Sequence, residues 1–569
     1  MPGVVNVISH LCCSACQSIS YISNVIGSHF VVMALSVMKW LVAIVALLSQ
    51  SSGATLSPTP PMGFNNWAAF MCGLNESLFV ETAQSMSKNG LLAAGYNRIN
   101  LDDCWSTFER APNGSMVVDS EKFPRGLPWL TGYLKSLGFT PGIYTDAGTK
   151  SCGGYPGAYG YEETDAKDFS SWGFEYLKLD GCNMPTGTEK EYKEVYGKWN
   201  GILSKLPKPM VFSESAPAYF AEAANLTDWY SVMGWVPEYG NLARHSRDIV
   251  VFNSTLYWPD ITGWDSIMFN YGQEVRLARY QKPGYFNDPD FLIVDHFDLS
   301  LDEKKSHFAI WSAFSAPLII SAYIPDLSAA ELEYLTNKDI IAVDQDALGL
   351  QSTLVSQDGN WDILTKQLEN GDRLLTIVNV GSSTASYSVS FERIGIPDAK
   401  SVAVKDLWTG ETTMAWGKVT VSTIPSHGTA IFRLSPVGRS FGAIIPTGKV
   451  FNTFSLSTLS ATFRNVSWAN STGDDGQIWQ VKEDSRLSPI SNPSQCLTEF
   501  HMGEVGLSRC NRKFGGQQWE YLYSGNLRSL NSKECLTESA TGGVTMQKCL
   551  YLDNSQVFAL PSGVEVLKK

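Results

Sequence analysis

The feature that most constrains the fold is a series of short apolar segments between residues 58 and 330, many of which end in an acidic or polar residue. Six of them are predicted to be strands: YNRINLDD (96–103), TPGIYTDAG (140–148), FEYLKLDG (174–181), PMVFSES (209–215), PGYFNDPDFLIV (283–294) and APLIIS (316–321). Stretches long enough for crossover helices lie between them, as at 159–173 and 187–204. Repeated strand–helix units form parallel sheets, and about 270 residues suits a closed (β/α)8 barrel. A doubly wound open sheet is the alternative, but no glycine-rich dinucleotide turn follows an early strand.

Acidic residues recur at the ends of the predicted strands. Lys178 and Asp180 lie two residues apart at one strand end, and other strand ends carry Asp102, Asp103, Asp146, Asp288 and Asp290. A barrel places its active site at the carboxyl ends of its strands, so these acids are candidates for one site. Arg244 and Asp248 follow the fifth barrel strand, four residues apart, and share one face if that segment is helical.

These acids are compatible with two kinds of chemistry. With few histidines nearby, a ring of carboxylates suits a hard-metal site or glycoside hydrolysis by two acids. The residue types alone do not separate the two. For Lys178 and Asp180 taken in isolation, an ordinary ion pair at a strand end is the simpler interpretation.

Charge and the amino terminus restrict the partners and the compartment. The formal charge of −13 argues against nucleic acid and against an anionic membrane surface as partners. Residues 38–54 have the layout of a secretory signal peptide, with one lysine, a short apolar core and small residues before the expected cleavage. We therefore expect residues 1–54 to be a leader in which Met38 or Met33 is the initiator, with a signal anchor as the alternative.

The cysteines and sequons agree with export. Removing the leader leaves eight cysteines: Cys72, Cys104, Cys152, Cys182, Cys496, Cys510, Cys535 and Cys549. An even number in an exported protein predicts four disulfides. N-glycosylation sequons occur at Asn75, Asn113, Asn225, Asn253, Asn465 and Asn470. The chain is predicted to be a secreted, extracellular glycoprotein.

The sequence pattern changes after the predicted barrel, which we place at 55–335. Period-two alternation with turn signals over 336–436 predicts an antiparallel β-sandwich. A connection rich in glycine and proline, 437–448, then leads to a third domain at 449–569.

The third domain contains an internal repeat. Two segments that begin with CLTE, at 496 and 535, are offset by 39 residues, and each reaches its next cysteine after 14 positions and a glutamine 7 positions later. An earlier QIW at 477–479 marks a third copy. Three repeats of about 40 residues with Q-x-W signatures resemble the ricin B-type lectin β-trefoil, a family 13 carbohydrate-binding module. The third signature reads QVF, which places that repeat's sugar site in question, and a purely structural trefoil is the alternative.

Six words of the barrel region occur in the order of one known family: PPMGFNNW, NLDDCW, GIYTDAG, YLKLDGC, ARHSRD and NDPD. Over residues 57–436 the chain closely resembles family 27 glycoside hydrolases of clan D, the α-galactosidases and α-N-acetylgalactosaminidases. With its appended trefoil, it is similar to secreted fungal members of that family.

The resemblance implies roles for individual residues. Asp180 matches the catalytic nucleophile, and Asp248 matches the acid/base. Trp67 would wall the pocket, Asp102 and Asp103 would bind the galactose 4- and 6-hydroxyls, and the further sugar contacts would be Tyr144, Lys178, Tyr219 and Arg244. Cys152 would bridge to Cys182 beside the nucleophile, and Cys72 would bridge to Cys104.

This assignment implies a retaining mechanism without metal or organic cofactor. The two carboxyls would lie about 5–5.5 Å apart. Lys178 would favour the charged form of Asp180, whereas Asp248 must begin protonated, so its pKa is expected to be raised relative to that of Asp180. A catalytically inactive galactose-binding protein and a metal-dependent barrel enzyme are the alternatives.

The segment FSESAPAYF (212–220) bears on the substrate. Relatives specific for galactose carry Glu and Leu near the 2-position of the sugar, whereas relatives that accept N-acetylgalactosamine carry Ser and Ala. Ser215 and Ala218 are the small pair here, although a shifted loop could bring Glu214 into that place. The expected partners are α-galactosides or α-GalNAc glycosides at the barrel and galactose-containing polymer at the lectin domain.

Overall fold

The computed structural model describes residues 56–559 except 223–225, 250–260, 395, 397–400, 438–440, 447–456, 471–473, 483, 523–524, 540 and 551–552. The predicted leader and two of the six sequons, Asn225 and Asn253, lie outside the described residues. The predicted linker lies partly outside them.

Eight parallel strands form the predicted barrel. They are β1 Met62–Asn65, β2 Arg98–Asn100, β3 Thr140–Asp146, β4 Tyr176–Asp180, β5 Val211–Glu214, β6 Leu242–Arg244, β7 Phe286–Asp288 and β8 Leu318–Ile320. Their order in the sheet is β8-β1-β2-β3-β4-β5-β6-β7, so each strand lies beside its neighbour in the sequence. The ring closes beyond β7, where Leu292 N donates to Ile319 O at 2.8 Å and Ser321 N donates to Leu292 O at 2.9 Å. The (β/α)8 barrel is confirmed.

Helices surround the strands among the described residues. Their bounds are Trp67–Phe70, Glu76–Lys88, Leu91–Ala94, Leu127–Ser136, Glu162–Ser171, Glu189–Leu203, Thr227–Tyr239, Gly263–Glu274, Leu301–Phe314, Ala329–Leu335 and Lys338–Asp344. Capping boxes begin three of them, with Thr262, Ser300 and Ser328 as the N-caps. Each box satisfies backbone donors that have no partner within the helix. None of the described helices combines the length and apolar run needed to cross a bilayer.

Two barrel strands and one turn differ from the sequence prediction. Strands β1 and β6 have four and three residues, too few for an alternating or β-branched pattern, and they were not among the six predicted strands. The segment from Arg244 to Asp248 is not helical, because Arg244 ends β6 and the residues after it form a bend.

The antiparallel sandwich follows the barrel. Its larger sheet has six strands in the order Thr353–Asp358, Trp361–Gln367, Arg373–Asn379, Thr429–Ser435, Ser401–Asp406 and Thr412–Trp416. A two-stranded sheet, Ala385–Ser390 with Lys418–Ile424, covers one side, and apolar side chains fill the space between the sheets.

The trefoil region is built from short antiparallel strands. They are Phe441–Gly442, Ile445–Pro446, Ser457–Thr462, Asn465–Asn470, Trp479–Val481, Leu487–Pro489, Gln495–Glu499, Val505–Arg509, Trp519–Tyr521, Leu527–Ser529, Cys535–Glu538, Val544–Gln547 and Phe558–Ala559. The first two lie within the predicted linker, and they pair with strands of the trefoil.

The Q-x-W signatures belong to the core of the trefoil. Trp479 and Trp519 are buried, and their indole N–H groups donate to main-chain carbonyls at 2.8 and 3.1 Å. Gln517 is fully buried and donates to Ser508 Oγ at 2.8 Å. Phe558 keeps the packing but has no indole N–H to donate. The signature therefore identifies the fold, and its buried glutamine and tryptophan do not face a ligand.

Four disulfides join the eight cysteines, as predicted. The pairs are Cys72–Cys104, Cys152–Cys182, Cys496–Cys510 and Cys535–Cys549. Asn75, Asn113, Asn465 and Asn470, the sequon asparagines within the described residues, are all exposed, as a glycan requires.

Candidate active site

The floor of the site is set by the alternation of side chains along the barrel strands. Tyr176, Val211, Leu242 and Phe286 form one buried apolar cluster inside the barrel. Successive side chains of a strand point to opposite faces, so the residues two positions further on also point inward. Those residues are polar: Lys178, Ser213, Arg244 and Asp288, all of them buried. A polar layer therefore lies above an apolar plug at the carboxyl ends of the strands.

Lys178 is bound to Asp102, not to Asp180. Its Nζ lies 2.7 Å from Asp102 Oδ2, and both side chains are almost fully buried. Asn65 Nδ2 donates to the same carboxylate oxygen at 2.8 Å. Burial alone would lower the pKa of Lys178, but attraction to Asp102 and then to Asp180 outweighs it and raises the pKa overall. The strand-end ion pair between Lys178 and Asp180, the simpler interpretation of that sequence, is therefore wrong.

Aromatic rings lie beside the Lys178 ammonium. Nζ lies 5.2 Å from the centre of the Tyr144 ring and 5.3 Å from that of Phe291. Asp103 lies next to this cluster, and its carboxylate accepts from the backbone N–H groups of Cys104 at 2.7 Å and Gly153 at 2.8 Å. Burial raises the pKa of Asp103 against these hydrogen bonds.

Asp180 ends β4 and is held by two donors. The Tyr219 hydroxyl donates to Asp180 Oδ1 at 2.5 Å, and Gly181 N donates to the same oxygen at 3.0 Å. Withdrawal of the Tyr219 hydroxyl from water, followed by the charge of Asp180, raises the pKa of Tyr219, so this hydroxyl keeps its proton and donates. The Cys152–Cys182 disulfide supports the same tyrosine, since the two sulfurs lie 3.8 and 3.2 Å from its oxygen.

Asp146 ties the loops around Asp180 together. Its carboxylate accepts from Gly148 N at 2.7 Å and from Cys182 N at 3.0 Å. Burial, and then repulsion from Asp180, raises the pKa of Asp146 well above its usual value.

Asp248 lies at the same end of the barrel as Asp180, beside Arg244. Arg244 Nη2 lies 2.8 Å from Asp248 Oδ1 and 3.1 Å from Asp290 Oδ2. Partial burial would raise the pKa of Asp248, but attraction to Arg244 and Lys178 and hydrogen bonds from Arg244 and Trp67 lower it overall. In the unliganded site the pKa of Asp248 is thus lowered, because Arg244 binds this carboxyl directly.

Glu214 and Ser215 face opposite sides of the barrel wall. Glu214 packs against Gly240, where an added Cβ would collide with Glu214 Oε2, and neither carboxyl oxygen has a hydrogen-bond partner among the described residues. Burial raises the pKa of Glu214 well above its usual value. Ser215, one residue on, points inward, and its buried Oγ has no partner among the described residues either. The loop shift that would bring Glu214 into the site does not occur.

Among the described residues, few side chains are grouped so that they could coordinate a metal ion. One group brings three potential ligand atoms within 4.8 Å of one another: Asp146, Cys152 and Cys182. Two of these ligands are the sulfurs of a disulfide, which lack the thiolate charge that binds metals.

Comparison with family models divides the chain as the fold does. Residues 59–346, half of the chain, match the model described as Alpha galactosidase A. The chain belongs to this family. Residues 358–434 match the alpha galactosidase C-terminal beta sandwich domain, and residues 449–558 match the ricin-type beta-trefoil lectin domain.

Individual relatives of this alpha galactosidase family member agree. Alpha-galactosidase A of Aspergillus niger is 52% identical over 520 residues, which cover 90% of this chain and 93% of that protein. Alpha-galactosidase I of Mortierella vinacea has a similar crystal structure, with 26% identity and a TM-score of 0.61, over 68% of this chain and 99% of that one. The Saccharomyces cerevisiae alpha-galactosidase solved with raffinose has 26% identity and a TM-score of 0.59 over the same shares.

Three residues to which the sequence analysis gave no role complete the site in the structure. Asn65 binds Asp102, Phe291 flanks Lys178, and Asp290 binds Arg244. All three lie within or beside the family words PPMGFNNW and NDPD, which is the signal that could have added them. The contacts above link eight of the predicted residues: Trp67, Asp102, Tyr144, Lys178, Asp180, Tyr219, Arg244 and Asp248. Asp103 and Ser215 adjoin them, and Ala218 lies one residue from Tyr219.

Proposed function

We propose that this alpha galactosidase family member is a retaining exo-glycosidase that hydrolyses terminal non-reducing α-D-galactosyl residues of oligosaccharides, polysaccharides and glycoconjugates. The observation that carries the proposal is that Asp180, which ends β4, and Asp248, which is bound at 2.8 Å to the arginine that ends β6, belong to the carboxyl-end mouth of one barrel. The name of the Aspergillus niger relative gives independent support.

In the first step Asp180 is the nucleophile and Asp248 is the acid. An Asp180 oxygen bonds to the anomeric carbon as the bond from that carbon to the leaving oxygen breaks. Asp248 gives its proton to that leaving oxygen. The Tyr219 hydroxyl, 2.5 Å from Asp180 Oδ1, fixes the direction from which the carboxylate approaches.

In the second step water completes the hydrolysis. Asp248, now ionised, takes a proton from a water molecule whose oxygen attacks the anomeric carbon and displaces Asp180. Two inversions give net retention, which requires the two carboxyls to lie about 5–5.5 Å apart.

The Lys178–Asp102 pair serves recognition of the sugar. Its ammonium and carboxylate are fixed at 2.7 Å in a nearly water-free floor, beside Asp103. Such an array presents both donors and acceptors to sugar hydroxyls, and a sugar that lacks a matching hydroxyl leaves buried polar groups unpaired.

The first test follows the anomer of the product. Wild-type protein incubated with p-nitrophenyl α-D-galactopyranoside in EDTA is expected to release α-galactose first, with the β-anomer appearing only as mutarotation proceeds. Proton NMR of the anomeric signals during the first minutes measures this. β-Galactose as the first product would contradict the retaining mechanism, and loss of activity in EDTA would favour the metal-dependent alternative.

The other domains suit an extracellular enzyme that acts on polymers. We propose that the ricin-type domain holds the enzyme near galactose-containing polysaccharide and that residues 1–54 direct export. Four disulfides support an oxidising compartment. The alternative of an inactive lectin-type protein gains no support from the family comparisons.

We also propose that the enzyme accepts α-N-acetylgalactosaminides. Ser215 is small and points inward, and its hydroxyl has no hydrogen-bond partner in the part of the chain that the structure describes, while the larger Glu214 points out of the barrel. Ala218, in the adjacent short helix Ala216–Phe220, is also small. Room beside the sugar's 2-position is what an acetamido group needs.

The second prediction compares two substrates. Wild-type protein is expected to hydrolyse both p-nitrophenyl α-galactoside and p-nitrophenyl α-N-acetylgalactosaminide, because the small pair leaves room for the acetamido group. The double substitution Ser215→Glu, Ala218→Leu is expected to lower kcat/KM for the N-acetylated substrate at least ~10²-fold, about the cost of a steric and unpaired-polar mismatch, and to spare the galactoside. Absence of N-acetylgalactosaminide turnover by the wild type would refute this second activity and leave the first intact.

A further inference from the structure

Arg244 is shared between two acids. A single nitrogen, Nη2, lies 2.8 Å from Asp248 Oδ1 and 3.1 Å from Asp290 Oδ2. The arginine and Asp290 are buried, whereas the Asp248 side chain is 48% exposed at the mouth. Asp290 Oδ2 also accepts from Ile249 N at 2.7 Å, which joins the loop after β7 to the residue next to Asp248.

The proposed mechanism needs a proton on Asp248, and its neighbours oppose one. Arg244 donates to this carboxyl, the Lys178 ammonium attracts it, and the Trp67 side chain donates a hydrogen bond to it. A dedicated one-to-one ion pair with Arg244 would hold Asp248 ionised at working pH and leave no acid for the leaving oxygen.

Asp290 is the group that opposes this ionisation. It is the acid that shares the guanidinium, and the two carboxyls repel each other when both are ionised. Asp288, the other acid facing Arg244, accepts from Asp290 N at 2.9 Å. Burial raises the pKa of Asp290 to about 7 despite the attraction of Arg244, and because the two acids share one guanidinium, the proton belongs to the pair and not to either acid alone.

We propose that Asp290 is a positioning residue for the acid step. Because Asp290 and Asp248 share the Arg244 guanidinium, Asp248 is able to hold the proton that the leaving group requires. This inference rests on the proposed function, since it concerns the same Asp248. It adds a residue that touches neither the leaving oxygen nor the nucleophile and acts through Arg244.

The backbone makes asparagine the appropriate test residue. Asp290 has φ of +82°, in the left-handed region where Asn, like Asp, is well tolerated. In the Asp290→Asn variant the side-chain oxygen can still accept from Ile249 N, and the amide group can occupy the place of Oδ1, which has no partner among the described residues. The substitution therefore removes the charge with little change in shape.

The experiment measures pH profiles of kcat/KM for Asp290→Asn and the wild type on two substrates. Raffinose has a sugar leaving group that needs protonation, whereas 2,4-dinitrophenyl α-galactoside releases a stable phenolate. With the charge of Asp290 removed, Arg244 pairs with Asp248 alone, and the alkaline limb for raffinose is expected to move about one pH unit lower. Above that limb the rate on raffinose is then about tenfold lower, and the rate on the dinitrophenyl substrate is nearly unchanged.

A matched control and a second variant complete the design. Asp362→Asn alters an equally buried acid on a strand of the sandwich, which accepts hydrogen bonds from Tyr271 and Gln357. The pH profile of this variant is expected to match that of the wild type. Asp290→Gly also keeps the left-handed backbone and removes the charge, and it is expected to shift the limb in the same direction.

The outcomes separate this inference from the proposed function. Wild-type protein that hydrolyses neither substrate would refute the function itself. An active wild type, with an Asp290→Asn variant whose alkaline limb is unmoved or whose two rates fall equally, would overturn the role of Asp290 alone.

Discussion

Asp180→Asn is expected to lower kcat on α-galactosides by about 10⁴-fold or more while the protein stays folded. An amide oxygen is a far poorer nucleophile than a carboxylate, so the glycosyl–enzyme bond does not form. The Asn side chain can still accept from the Tyr219 hydroxyl and from Gly181 N, which preserves the pocket. Steady-state rates with p-nitrophenyl α-galactoside measure the loss.

The nature of the loss is tested by an external nucleophile. In Asp180→Gly, azide can enter the space left by the carboxyl and attack from the same side, giving β-galactosyl azide in a single inversion. Glu214→Gln is the matched control, since this neighbouring acid faces away from the site, and full activity is expected. An Asp180→Asn variant with near wild-type kcat would refute the assignment of the nucleophile.

Lys178→Met is expected to have the next largest effect, on both stability and activity. It leaves Asp102 as a buried carboxylate whose side chain is 1% exposed, without its cation at 2.7 Å. Breaking one half of a buried pair costs about 3–5 kcal/mol. The barrel's thermal transition is expected to fall on the order of 10 °C, and kcat/KM at least ~10²-fold, since the galactose-binding floor loses its donor.

An exposed pair provides the control for this prediction. Lys167 and Glu163 lie 3.6 Å apart on the helix Glu162–Ser171, and both side chains are 72% exposed. Lys167→Met is expected to change stability by less than about 0.5 kcal/mol, because solvent screens such pairs. Calorimetry of both variants, with kinetics on the galactoside, measures the contrast. Equal losses of stability in the two variants would show that burial of the Lys178–Asp102 pair does not strengthen its contribution to stability.

The fold was largely predictable because its main signals are local. Alternating strand and helix lengths indicate the barrel, period-two alternation indicates the sandwich, and the 39-residue offset indicates the trefoil. Strands β1 and β6 were not predicted because their residues, MGFN and LAR, do not lie within a longer apolar run like those that marked the other short strands. Their pairing with neighbours, not their own sequence, makes them strands.

The site was predictable as a set of residues but not as a set of contacts. A strand end reveals which acids share a mouth, whereas the partner of each charge depends on neighbouring strands. Lys178 lies two positions from Asp180, but its ammonium binds Asp102, which is 76 positions away in sequence. Asp248 was expected to be protonated from its role alone, and the sequence carries no sign that Arg244 reaches it or that Asp290 divides that arginine.

The Cys152–Cys182 bridge has a consequence for when the nucleophile acquires its working geometry. The bridge joins the loops after β3 and β4, and both of its sulfurs contact the hydroxyl that orients Asp180. A newly made chain with those thiols still reduced lacks this buttress under its reactive carboxylate. Full hydrolytic competence is thus expected only after this pair has been oxidised.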